Sequence, residues 1–108
     1  MPPEYDINDT YNTTLQSVKH ALIKCKKEIG KNSGVNKIIN KLYVVLEVIE
    51  KYKYNIDARF SDNYQNEVLF IIFNLGLILE IISSYSQEKN LTKGQMIDLN
   101  GIYRKYKK

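Results

Sequence analysis

The sequence predicts an all-α protein, an antiparallel up-down-up-down four-helix bundle. Two observations lead there. Apolar residues recur at alternating spacings of three and four through four separate segments. Short stretches rich in Asn, Ser, Gly and Lys part those segments. Amphipathic helices joined this way fold most simply as antiparallel neighbours. With 108 residues, two domains would leave each core too small to offset chain entropy. Residues 1–108 are therefore expected to form one domain that needs no metal or disulfide staple.

Residues 1–7 read as a loose lead-in. Asn8 and Asp9 then offer side-chain acceptors to the free amides of a first helix. Its stripe is Tyr11, Leu15, Val18, Leu22, Cys25 and Ile29, and Gly30 with Lys31-Asn32-Ser33-Gly34 ends it. Ser33 is the expected cap of a second helix, with the stripe Val35, Ile38, Ile39, Leu42, Val45, Leu46 and Ile49. The β-branched Val44, Val45 and Val48 sit inside that periodicity, which decides for helix over strand. Fraying is expected from Tyr52 to Asn55, and residues 55–59 read as a loop. Ser61 or Asp62 opens the third helix, Asp62 forming a capping box with Gln65. Its main stripe is Tyr64, Val68, Ile71, Leu75, Ile78, Ile82 and Tyr85, and Leu69, Ile72, Gly76 and Leu79 form a second. Gly76 is expected where a neighbouring helix passes close. The fourth helix has the sharpest start: Thr92 and Gln95 form a capping box, and Leu91 staples to Met96. Its stripe is Met96, Leu99, Ile102, Tyr103 and Tyr106. Residues 104–108 are a basic tail whose cations suit a helix C-terminus.

The residue inventory excludes most chemistry. One cysteine, Cys25, rules out an internal disulfide and a Cys-rich zinc site. One histidine, His20, leaves few ways to build a metal centre or a catalytic triad. No phosphate-binding glycine loop, HExxH, GxSxG or CxxC is present. His20 is expected at a helix-face boundary and Cys25 in the core. Glu67, Glu80 and Asn74 lack the Glu-x-x-His pairs of a di-metal bundle, so Asn74 is expected to bond across to another helix or to lie at a face boundary. The expectation is a non-enzymatic protein without cofactor or metal.

The net charge is +4 and unevenly spread: residues 1–18 carry −3, 19–53 carry +6, 54–88 carry −4 and 89–108 carry +5. Such a balance fits an anionic partner or membrane surface, and equally a Lys-rich solvated protein. The acidic start has no apolar core of a signal peptide. The apolar run at residues 68–82 is shorter than the roughly 20 residues that cross a bilayer. A cytoplasmic protein with a reduced Cys25 is expected, peripheral membrane contact remaining open. Lys24, Lys26, Lys27, Lys31 and the tail from Arg104 to Lys108 could meet phosphates, with Tyr103 and Tyr106 stacking on single strands. The same spacing puts both tyrosines on the packing side of the last helix, so nucleic-acid binding is the lesser expectation.

The segment at residues 90–102, NLTKGQMIDLNGI, has the form LT-x-x-Q-x-x-x-L-x-x-I. It resembles the start of the last helix in immunity proteins for pediocin-like bacteriocins, the enterocin A immunity family. Residues 99–104, LNGIYR, are similar to a C-terminal segment of that family. Lys41-Leu42-Tyr43 and residues 51–57 are similar to its second helix and following loop. The resemblance implies a cytoplasmic four-helix bundle that protects a producing cell from inside. It implies contact with a mannose-phosphotransferase permease occupied by bacteriocin, with the C-terminal half setting specificity. Carried onto this chain, the contact residues are Tyr103, Arg104, Lys105, Tyr106 and Lys107. The alternative is a phage or mobile-element regulator or antitoxin that binds a partner protein or nucleic acid. Monomer and homodimer both remain open.

Overall fold

A computed structural model describes residues 6–29, 33–59 and 62–107, the side chains of residues 33–36 excepted. It is an all-α four-helix bundle: α1 (Ile7–Ile29), α2 (Ser33–Arg59), α3 (Tyr64–Glu88) and α4 (Lys93–Tyr106), with no strand among the described residues. Cross-contacts fix the helix directions. The Tyr64 hydroxyl reaches Asn8 Oδ1 at 2.8 Å, and Tyr85 lies beside Cys25 at the other end, so α1 and α3 run parallel. Lys19 pairs with Glu50 at 2.7 Å and Lys26 lies 6.0 Å from the Tyr43 ring, so α2 runs against α1. Asn74 meets Tyr106, and Leu77 lies near Ile97, so α4 runs against α3. Consecutive helices alternate in direction. The most extensive helix pairing is nevertheless α1 with α3, followed by α2 with α4, and α1 does not touch α4. The molecule is accordingly flat, 49 × 32 × 21 Å.

The expected stripes form the core. Val18, Leu22, Cys25, Leu42, Val45, Ile49, Val68, Ile71, Leu75, Ile78 and Leu99 are all buried within it. Hydrophobic burial along these stripes, rather than helix propensity, holds segments so rich in β-branched residues helical.

The termini differ from the sequence reading in three ways. First, α1 is capped by Asp6, whose Oδ1 accepts the Asn8 amide at 2.9 Å and whose carbonyl accepts those of Asp9 and Thr10. Asn8 and Asp9 belong to its first turn, and Ile7, expected in a loose lead-in, is buried. The first stretch of that lead-in, residues 1–5, and the stop at residues 30–32 lie outside the described residues. So do the Ser33 side chain as a cap, Val35 in its stripe and the Ser61 cap. Second, α2 does not fray at Tyr52: it continues through residues 55–59, where a loop is expected. The stripe runs on from Ile49 through Lys53 to the fully buried Ile56, and Lys53 binds both oxygens of Asp57 one turn later at 2.8 Å. Third, the Asp62–Gln65 box does not form. The helix starts at Tyr64 behind Asn63, which puts Gln65 one position too early. At the other end, α4 runs through Tyr106, so Arg104 and Lys105 stand in its last turn, where cations suit a helix C-terminus.

The box at α4 forms as expected. Thr92 Oγ1 accepts the Gln95 amide at 3.1 Å, and Gln95 Oε1 accepts that of Thr92 at 2.9 Å. Leu91 and Met96 both join the core. Gly76 is not at a close helix approach, because a Cβ built there meets nothing within 4 Å.

Candidate protein-interaction surface

α4 is shorter than its neighbours and lies over the C-terminal half of α3, which leaves a groove along each of its sides. The N-terminal box fixes its register, and Leu99, Ile102 and Tyr106 anchor it in the core. Leu99 is fully buried, and Tyr106 is the anchor that also makes polar and ring contacts. It is 4% exposed, its ring meets Tyr52 edge-on with centroids 5.0 Å apart, and its hydroxyl accepts from Asn74 Nδ2 at 2.6 Å. The same amide nitrogen also donates to the Phe70 carbonyl at 2.8 Å. Burial pushes the Tyr106 hydroxyl above its ordinary pKa of 10.0, and the Asn74 bond offsets part of that rise. Asn74 therefore bonds across to another helix, as the sequence suggests. Tyr106 is corrected from contact residue to core: nothing that docks on the surface reaches more than its edge.

The other four residues expected in contact separate by side. Tyr103 is half-buried and faces α2, lining a groove of about 450 Å³ with Lys41, Val44, Asn100 and Arg104. Lys107, at the end of α4, holds its ammonium 5.0 Å from the Tyr103 ring centre, so the aromatic face carries a cation. Lys105 points the opposite way and sits 4.9 Å over the ring of Phe70 on α3. Arg104 lies between and also borders the second groove, of about 340 Å³, with Leu77, Ile97, Asp98, Gly101 and Lys105. The structure thus gathers Tyr103, Arg104 and Lys107 on the α2 side, while Lys105 shares only the second groove with Arg104.

A second surface was missed. Phe70 and Phe73 are 59% and 65% exposed, Leu69 of the expected second buried stripe is 46% exposed, and Ile97 on α4 is 59% exposed. The signal was present in the composition of the segment: apolar residues occupy the whole circumference of α3, more than three neighbours can cover. As a 25-residue helix, α3 is long and apolar enough to cross a membrane by length and composition, although a shorter run is read from the sequence. Its Val68, Ile71, Leu75 and Ile78 face is buried in the bundle.

At the far end of the molecule Lys53, Asp57, Tyr11, Tyr64 and Asn8 meet in a shallow cleft of about 610 Å³. The Lys53 ammonium lies 4.7 and 5.7 Å from the rings of Tyr11 and Tyr64, and the Tyr64 hydroxyl donates to Asp57. These groups satisfy one another across three helices, which is the arrangement of a structural tie. Cys25 is buried and His20 is exposed. Among the described residues no three His, Cys, Asp or Glu side chains are placed to hold a metal ion. No family model, curated protein or solved structure matches the chain.

Proposed function

We propose that the protein is a helical interaction module and that its working surface is the groove between α2 and α4. Tyr103 and Arg104, with Lys41 and Val44 opposite, carry this reading. Tyr and Arg, here side by side on one groove, are residue types enriched at the energetic centre of protein interfaces. The partner proposed is a membrane permease of the mannose-phosphotransferase type occupied by a pediocin-like bacteriocin. The protein would meet it from the cytoplasmic side and protect the producing cell without catalysing a reaction. The resemblance of residues 90–102 and 99–104 to the enterocin A immunity family supplies that identity, and the second segment contains Asn100, Tyr103 and Arg104, which line the groove.

Expression in a bacteriocin-sensitive strain tests it directly. Survival should rise against at least one pediocin-like peptide. The exposed-side variants Tyr103→Ala and Arg104→Glu should abolish protection while circular dichroism keeps its helical signal. Unchanged killing across a panel of such peptides overturns the identity. Tight nucleic-acid binding that falls steeply with salt would favour the regulator reading instead.

A further inference from the structure

The outer face of α3 carries a pattern that the bundle uses only in part, at Leu77 and under Lys105. Asn66, Phe70, Phe73, Leu77, Glu80 and Ser84 follow one another at spacings of 4, 3, 4, 3 and 4. That is the seam spacing of a helix packed lengthwise on another helix. Each of the six is exposed or half-buried, and Leu69 flanks the seam. The spacing is a palindrome about position 75. Turned end for end on itself, the seam sets Phe73 opposite Leu77, Phe70 opposite Glu80 and Asn66 opposite Ser84.

We infer that this face is the interface of a symmetric dimer in which α3 of one copy packs antiparallel on α3 of a second. Three features select a second copy as the occupant. Gly76 is half-buried with open space where a side chain would be, so it offers a recess beside Leu77 for the Phe73 ring of the other copy. Lys105 stands over Phe70, the position that faces Glu80 of the other copy, so each copy brings a cation to the carboxylate of its mate at both ends of the seam. Parallel packing would set Glu80 against Glu80 and is disfavoured by like charge. Glu80 on the face and Asp98 in the adjoining groove offset the two cations of that groove, Arg104 and Lys105, and leave no net positive charge to draw the face to an anionic bilayer. The exposed parts of Phe70, Phe73, Leu69 and Ile97 amount to on the order of 400 Å² per copy. A symmetric pair buries about twice that, less than the roughly 1,000 Å² of a stable specific interface, so the dimer is a weak, dissociating one. The α2/α4 groove stays open on the other side of α4, so the inference stands or falls independently of the proposed partner.

Sedimentation velocity on the full chain, from low micromolar to millimolar, tests this. The weight-average mass should climb from one toward two copies. Phe73→Ser should weaken association by about tenfold or more with an unchanged helical signal, the residue being exposed in the monomer. Glu80→Lys and Lys105→Glu should each weaken it, and the double variant, which restores both pairs with reversed sign, should recover it. A chain that stays monomeric at millimolar concentration overturns the dimer. Association that ignores Phe73, or a charge-reversed double variant no better than the singles, overturns this interface. Phe73-dependent binding to anionic vesicles by a chain that remains monomeric overturns it in favour of a lipid surface.

Discussion

Lys53 illustrates how one residue can mislead a reading of sequence and then hold a structure together. It occupies a buried stripe position of α2 with 7% exposure, where a lysine is costly unless its ammonium is paired. Asp57 supplies the pair, and Tyr11 and Tyr64 supply ring faces from α1 and α3. Burial alone would raise the Asp57 carboxyl. The hydrogen bonds from Lys53 and Tyr64 and the charge of Lys53 outweigh it and hold the group below its ordinary 3.8. A carboxyl lowered in the native state adds stability that is full above the unfolded value and is lost as pH falls through the native one. Acid unfolding should therefore steepen below pH 3.8. Asp57→Asn should flatten that limb, and at neutral pH it should cost about 1–2 kcal/mol. That is less than a fully buried pair is worth, because the Asp57 side chain keeps 42% exposure. Urea titrations of both proteins across pH 2–7 check each part.

At the scale of elements, most of the bundle was legible in the sequence because apolar periodicity reports directly which face of a helix is buried. Every stripe residue of α1 from Tyr11 to Cys25 and every main-stripe residue of α3 from Val68 to Tyr85 is in the core. The capping box of α4 was legible for a similar reason, since Thr92 and Gln95 satisfy each other locally. What escaped depends on groups distant in sequence. The last turns of α2 read as loop because Asn55 and Asp57 look like breakers, whereas Lys53 and Ile56 are held by residues of other helices. The second surface, with Phe70 and Phe73, escaped because a continuous apolar run does not say which side lacks a neighbour. Gly76, expected at a close helix approach, has open space where a side chain would be, as does Gly101. Gly101→Ala on exposed α4 and Gly76→Ala on α3 should each raise stability by about 0.5–1 kcal/mol. Thr92→Ala should lower it by about 1 kcal/mol. Thermal unfolding by circular dichroism separates the three. Gly76→Ala should also fill the recess opposite Phe73 and weaken self-association, an effect that Gly101→Ala should not share.

Over the whole molecule, tyrosines tie the helices at separate places. Tyr11 joins the Lys53 cluster between α1, α2 and α3; Tyr85 lies against Cys25 between α3 and α1; and Tyr106 locks α4 to Asn74 and Tyr52. Desolvation raises all three hydroxyls above 10.0. For Tyr11, with Glu50, Asp57 and Tyr64 adding to it, the value reaches about 12. For a group that ionises to an anion, a native pKa above the unfolded one means that the native state holds its proton longer. The stability it contributes is full below pH 10 and is lost as pH climbs through the native values, up to about 12 for Tyr11. The protein should therefore lose stability along an alkaline limb between those two pH values, because the unfolded chain ionises where the folded one resists. Tyr11→Phe should remove its share of that limb while keeping the ring face beneath Lys53, and Tyr106→Phe should do the same at the cost of the Asn74 bond. Phenolate absorbance and helical circular dichroism, followed together from pH 9 to 13, check this. The ionisation of Tyr11 should coincide with loss of helix in the wild type. If the helical signal survives a complete phenolate titration, these tyrosines are not buried ties and the junctions they define must be redrawn.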